Sequence, residues 1–110
     1  MPHDLIIIQV SFPLSFNIES LCKTLIQSKL AVCIHEFPSV TSHYEWRAKV
    51  ETSQETIIHI KTSNTHFSAI ETLILSKHPY DVPELFSIPI DQMSTPYLKW
   101  ANQILSNAHK

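Results

Sequence analysis

The chain has 110 residues, 44% of them hydrophobic, and a net charge of −2. This length and composition indicate one globular domain, residues 1–110, with room for a hydrophobic core. The small charge without a basic block argues against nucleic acid or an anionic membrane as partner. No apolar run is long enough to span a bilayer, and the Met-Pro-His-Asp start lacks the basic region of a signal peptide. With only two cysteines and no CxxC motif, we expect a cytoplasmic protein.

Glycine is absent, although average usage would supply about eight. The absence excludes the glycine-rich phosphate loops, and with them the common nucleotide-binding enzymes. Turns must therefore be made by Asn, Asp, Ser, Pro or strained residues. No nucleophile with a histidine partner and no obvious carboxylate pair stands out, so we expect no enzymatic activity.

The first elements are a strand and a helix. Residues 5–12 are mostly apolar and rich in β-branched side chains, which predicts a strand that Pro13 breaks. Ser15 or Asn17 can cap the amphipathic helix that follows, for which we expect about thirteen residues. Its apolar positions have helical spacing: Ile18, Leu21, Cys22, Leu25 and Ile26.

Two long extended segments, 30–46 and 49–62, predict a hairpin whose first arm is an edge strand or is bulged at Pro38. An arm of about thirteen residues reaches roughly 43 Å, whereas a domain of this size is roughly 35 Å across. The hairpin should overhang its domain with Tyr44 and Trp46 exposed. An overhanging edge needs a partner, so we expect a closed homo-oligomer.

The remaining elements complete an α+β fold. A helix is predicted over 65–77, a strand over 85–90, and a last helix from 96 to about 107, capped at Thr95-Pro96. The order strand, helix, strand, strand, helix, strand is the ferredoxin-like split βαβ arrangement (βαββαβ), here with a long hairpin between the second and third strands and an extra C-terminal helix.

The connector between the second helix and the fourth strand is His78-Pro79-Tyr80-Asp81-Val82-Pro83-Glu84. Its two prolines predict a stiff, extended segment. Such a segment can direct His78, Tyr80, Asp81 and Glu84 toward a cleft. The alternative is that the prolines only end a helix and start a strand.

Five blocks occur in one order along nearly the whole chain: Leu30-Ala31-Val32-Cys33, Ser42-x-Tyr44-x-Trp46, Ile60-Lys61-Thr62, the connector, and Tyr97-Leu98-x-Trp100. In these blocks the chain resembles the CutA family of divalent-ion tolerance proteins. The resemblance implies a homotrimer with a fold similar to the PII signalling proteins, in which hairpins extend the neighbours' sheets. One departure is Trp46-Arg47-Ala48-Lys49, where the family commonly has Trp-x-Gly-Lys.

The resemblance also implies binding or tolerance of divalent cations, above all copper. Some family members are assigned a copper site built from a cysteine late in the first strand and the histidine of the His-Pro-Tyr block. Here the histidine is His78, but the cysteine position falls at Val10, which has no donor atom. Cys33 belongs to another block and is expected in the core.

Other histidines offer weaker metal candidates. His43 and Glu45 share one strand face and form a potential half site. We expect His59 to be a hydrogen-bonded interior or interface residue, and His3, His66 and His109 to be solvated.

Two alternatives to metal binding stay open. In the first, a PII-like sensor binds a small anionic metabolite in clefts between subunits, with Lys61 near Glu84 or Tyr80 and with Asp81 also lining the cleft. In the second, the trimer is a scaffold for another protein. In either, the aromatic residues are expected to pack in the trimer interface: Tyr44, Trp46, Tyr97 and Trp100.

Overall fold

The computed structural model describes residues 3–106. Its strands are β1 (Leu5–Pro13), β2 (Cys33–Trp46), β3 (Lys49–Ser63) and β4 (Leu85–Pro89), and its helices are α1 (Ile18–Gln27), α2 (Phe67–Lys77) and α3 (Thr95–Leu105), with a 3-10 turn at Asn64–His66 before α2. The strands form one antiparallel sheet in the order β2-β3-β1-β4. This confirms the ferredoxin-like prediction. The expected end of the last helix, Asn107, lies outside the described residues, as does His109.

The helix ends show how the chain manages without glycine. Asn17 caps α1 by accepting the Ser20 N–H at 3.1 Å. The helix has ten residues rather than about thirteen, because Lys29 takes a φ of 64° and the Leu30 N–H bonds back to the Leu25 carbonyl. That is the helix-ending pattern in which glycine is usual. At α3 the cap is Ser94, one residue before the expected Thr95.

The core lies between the sheet and the helices α1 and α2. Ile8, Val10 and Phe12 of β1 alternate toward the helices and are fully buried, as the strand period requires. A second, smaller cluster holds α3 on the end of the sheet near Leu5 and Val32. Both clusters position β1 as the central, rigid strand of the domain.

On the opposite face of the sheet, α3 packs over the end near Leu5 and Lys61, and no helix of residues 3–106 covers the remainder. Phe37, Phe86 and Ile88 on this face are each about two-fifths exposed. We call this surface the open face; its half-buried members include Ile7 and Ile57. An apolar sheet face of this kind is characteristic of an interaction surface.

The hairpin formed by β2 and β3 overhangs the domain as predicted. Its ladder runs from Cys33–Lys61 to Trp46–Lys49, with a bulge between Phe37 and Val40. The molecule is 46 Å long but only 26 by 21 Å across, and its radius of gyration is 15.0 Å, against about 13 Å for a compact chain of this size. None of the helices within residues 3–106 is long and apolar enough to cross a membrane.

Candidate functional site

A cleft of about 720 Å³ lies where the distal half of the hairpin meets the connector. Its walls come from three parts of the chain: the end of β1, both arms of the hairpin, and the connector. Ser11, Ser42, His43, Tyr44, Trp46, Glu55, Tyr80, Asp81, Val82, Pro83 and Glu84 line it. The connector thus faces a cleft, although its backbone bends over residues 79–82 instead of running straight.

His78 fixes the connector to β1. Pro79 ends α2 at Lys77 and leaves His78 extended, with a ψ of 135°. The imidazole stacks on Phe12 at 4.6 Å between ring centres. Its Nε2 donates to the Ser11 carbonyl at 2.7 Å, and its Nδ1 accepts the Tyr80 N–H at 3.1 Å. Both ring nitrogens are therefore engaged with backbone, and the neutral ring has no free lone pair.

Tyr80 and Glu55 form the polar floor of the cleft. The Tyr80 hydroxyl donates to Glu55 Oε2 at 2.9 Å, and Glu55 is only 6% exposed. Burial raises the pKa of Tyr80 to about 12, with further contributions from the hydrogen bond and the negative charge of Glu55. Tyr80 consequently remains a neutral donor to the carboxylate at physiological pH.

A polar chain leads from the cleft to the open face. Gln9 donates to Glu84 at 3.4 Å, and its amide oxygen accepts from His59 Nε2 at 2.9 Å. His59 also meets the Phe37 ring edge-on at 4.9 Å. His59 is thus hydrogen-bonded and half-buried on the open face, and its place in an interface stays a prediction.

Lys61 does not line the cleft of one protomer. Its ammonium lies over the Tyr97 ring, 5.9 Å from the centre, and its backbone pairs with Cys33. Six residues of extended strand separate it from Glu55, a distance of roughly 20 Å. Within one protomer Lys61 therefore lies apart from Tyr80, Asp81 and Glu84. Its anion-binding role in a cleft between subunits stays a prediction.

The four aromatic residues fall into two groups. Tyr44 and Trp46 line the cleft and are about half exposed. Tyr97 and Trp100 contact each other on α3, with ring centres 5.6 Å apart. Their role in a trimer interface stays a prediction.

The donors of one protomer do not fit the copper site that the resemblance implies. His78 has no free nitrogen, and Val10 is fully buried in the core. Cys33 is half-buried beside Lys61, at the other end of the sheet. Within residues 3–106, no three His, Cys, Asp or Glu side chains stand close enough to hold a metal ion.

Two further residues, His66 and Glu55, are more buried than the sequence predicted. His66, expected in solvent, is 5% exposed, and its Nδ1 lies 2.6 Å from the Ser63 hydroxyl. Glu55 was missed because it lies in the polar run Thr52-Ser53-Gln54-Glu55-Thr56, which resembles a solvated strand. The available signal was its strand phase, since Glu55 alternates with Ile57 and His59 toward the open face.

Comparison with known proteins places these features in a family. The family model described as CutA1 divalent ion tolerance protein matches residues 6–104. A CutA homolog of Xenopus laevis is 40% identical over 87 residues, which cover 79% of this chain and 58% of that protein. The divalent-cation tolerance protein CutA of Pectobacterium atrosepticum is 32% identical over 93% of both chains.

Solved structures give the same result. CutA1 of Shewanella sp. SIB1 superposes with a TM-score of 0.87 and 31% identity over 94% of this chain and 97% of that one. CutA1 of Oryza sativa gives 0.85 and 32% over 91% and 92%. The chain spans about half the length of the frog, mouse and human relatives it matches but nearly all of the two bacterial ones.

Proposed function

Because the chain belongs to the CutA1 divalent ion tolerance family, we propose that it acts in divalent-cation tolerance as a homotrimeric binding protein without enzymatic activity. The overhanging hairpin is the observation that supports a trimer. Its end leaves Tyr44, Trp46 and Val50 in solvent, with Val50 83% exposed. The outer edge of β2 is unpaired, and a neighbour's strand can pair with it.

The open face supports the same assembly. Phe37, Phe86 and Ile88 lie there beside half-buried Ile7 and Ile57. Each fully buried side chain of this size stabilises a structure by about 1.5–3 kcal/mol. Association of identical chains through this face and the hairpin covers both surfaces at once, and a closed ring of three leaves neither free.

Charge insertion tests this interface. Ile88→Lys places a cation on the open face, and we expect it to reduce the assembled mass in sedimentation experiments. Leu75→Lys is the matched control, because Leu75 on α2 is exposed to a similar degree, 48% against 43%, and lies on the helix side. Equal behaviour of the two variants would remove the open face from the interface.

For the cation, the structure favours His43 over His78. His43 lines the cleft, and only its Nδ1 is engaged, with Thr52 Oγ1 at 3.3 Å. Its Nε2 makes no hydrogen bond within residues 3–106 and suits copper(II) or zinc. Since no three donors converge in one protomer, we propose that a neighbouring protomer completes the coordination.

Calorimetric titration of the assembled protein with copper(II) and zinc tests this assignment. His43→Ala should weaken binding about tenfold or more, the usual scale for loss of a determinant of metal affinity. His35→Ala, another exposed histidine of β2, should leave it unchanged. If both variants bind like the parent, His43 is not a ligand.

The anionic-metabolite alternative receives no support from the cleft, because none of its lining residues is a lysine or arginine. The scaffold alternative becomes the better account if neither cation binds the assembled protein.

A further inference from the structure

We propose that assembly of the protein is pH-sensitive, because two histidines lie opposite each other in the middle of the open face. His35 of β2 pairs directly with His59 of β3, and side chains placed in this way share a face, with Cβ atoms about 4.5–5.5 Å apart. The inference rests on the proposed trimer, in which a neighbouring protomer covers this face. Acid should charge the two histidines and release the protomers from one another.

The histidine pair begins a row of residues that crosses the whole sheet. Next to His59 in this row come Gln9 of β1 and Phe86 of β4. An interface over the row encloses both histidines, and burying a charged group without a partner is costly. The rows on either side supply most of the apolar surface of the open face: Phe37, Ile57, Ile7 and Ile88.

Hydrogen bonds on the open face favour a neutral His59. The Gln9 amide nitrogen donates to Glu84 at 3.4 Å, so the amide oxygen is left to accept from His59 Nε2 at 2.9 Å. The neutral ring then has its proton on Nε2 and its lone pair on Nδ1. Nδ1 makes no hydrogen bond within residues 3–106, and the ring meets Phe37 edge-on at 4.9 Å. A second proton on Nδ1 therefore finds no acceptor among these residues.

The charged group beside the pair along the strands is a cation. Lys61 lies two residues beyond His59 on β3, and its ammonium is 5.9 Å from the centre of the Tyr97 ring on α3. The thiol side chain of Cys33 lies opposite it on β2. Charging both histidines would therefore add two positive charges near a third, and like charges directly opposite each other on paired strands are destabilising.

The carboxylates near the pair are engaged elsewhere. Glu84 is connected to the β3 histidine only through Gln9, and Glu55 accepts from the Tyr80 hydroxyl. Glu36 follows the β2 histidine in the strand and so belongs to the other face of the sheet. Among residues 3–106, neither histidine forms an ion pair with a carboxylate. The protomer therefore provides no counter-charge for the protonated histidines.

The sign of the pH effect follows from where protons bind. The separated protomer leaves its histidines accessible to water, and histidines take up protons as the pH falls from about 8 to 5. The covered face disfavours the charged form, so the assembled state binds fewer protons and assembly weakens in acid. One proton per protomer lowers the trimer association constant about fivefold per site, or about a hundredfold for three sites, between pH 6.5 and 5.5.

Sedimentation in urea measures the effect, because urea weakens the assembly without screening charges. The urea concentration is fixed where about half of the parent protein is dissociated at pH 7.5, and the association constant is followed to pH 5.5 at constant ionic strength. We expect the constant of the parent to fall about a hundredfold or more. His35→Gln and His59→Gln cannot take up the proton, so each should reduce the fall and the double variant should remove most of it.

Two further variants complete the test. His3→Gln is the matched control, because His3 precedes β1 and its Nε2 lies 3.4 Å from the Asp91 carbonyl, away from the pair. Its pH response should equal that of the parent. His35→Lys places a permanent cation at an exposed position of the edge strand, where folding of the protomer tolerates it. It should lower the association constant at pH 7.5 by about tenfold or more.

Each contrary result identifies what failed. The proposal is overturned by a parent whose association constant is unchanged down to pH 5.5, by an equal fall in the parent and the double variant, or by an equal effect of His3→Gln. If the double variant does not assemble, an unchanged constant for His35→Lys overturns it. All of these results leave the proposed trimer in place, whereas a single-chain mass at pH 7.5 without urea refutes the trimer and the pH effect with it.

Discussion

Replacing Ala48 with glycine should stabilise the protein, because the hairpin turn is strained. The two central residues of the turn, Arg47 and Ala48, have φ angles of 51° and 65°, and their neighbours Trp46 and Lys49 are paired. This is the pattern of a two-residue type I′ turn, in which Asn-Gly is preferred. A residue with a Cβ pays about 1–2 kcal/mol in this left-handed region.

The expected gain is smaller than the strain. Glycine also makes the unfolded chain more flexible, which costs roughly 0.5–1 kcal/mol. The net increase in the free energy of unfolding is therefore about 0.5–1 kcal/mol per protomer for Ala48→Gly. Arg47 is left in place because its guanidinium lies over Trp46.

Guanidinium denaturation at fixed protein concentration measures the effect as a shift in midpoint. Ala69→Gly is the matched control, since Ala69 is exposed on α2 and glycine in a helix costs up to about 1 kcal/mol. A loss of stability in both variants would show that the turn is not strained and would refute the reasoning.

Three further predictions follow from single contacts. The folded state favours the neutral form of Tyr80, so the stability that Tyr80 contributes is complete below about pH 10 and is lost as pH rises toward its folded pKa of about 12. In an ultraviolet titration, the Tyr80 step should move toward lower pH in Glu55→Gln. Thr62→Val leaves the Leu30 carbonyl without the 2.7 Å bond it accepts and should cost about 1–3 kcal/mol in urea unfolding. Asn17→Ala removes the cap of α1 and should lower the free energy of unfolding, measured by thermal denaturation, by about 1 kcal/mol.

The order of elements was predictable from the sequence because it depends on local patterns. The β-branched apolar run in residues 5–12, the helical spacing in residues 18–26 and the prolines at 79, 83 and 96 each act within a few neighbours. The same holds for the hairpin: Pro38 predicted an edge strand or a bulge, both of which occur, and the arm length predicted the overhang. The positive φ at Ala48 was foreseen as a condition of the turn, since only the family pattern pointed to glycine there.

The cleft was predictable only in part, because it depends on strand register. The connector was located correctly, but which residues face it follows from pairing across the sheet. Glu55 pairs with Pro13 and Val40, which brings it under Tyr80. Lys61 lies further along the same strand and reaches Tyr97 at the other end. Neither the position of Glu55 under Tyr80 nor that of Lys61 over Tyr97 can be predicted from the residues next to them in the chain.

The histidines also show that contacts between residues distant in the chain could not be predicted from the sequence. His66 follows a turn and has no apolar periodicity around it, yet the 3-10 turn directs it inward against Ser63. For the connector the sequence indicated a place at the cleft, but it did not predict that the His78 ring bonds to the Ser11 carbonyl and the Tyr80 N–H. Because these backbone contacts occupy both ring nitrogens, His78 has a structural role in the protomer instead of the expected role as a metal ligand.

The most direct test of the account is the mass of the unliganded protein at micromolar concentration, by light scattering coupled to size exclusion. The account predicts a single species of three times the 12.6 kDa chain mass, stable on dilution. A mass equal to one chain, with the hairpin and open face left in solvent, would contradict it.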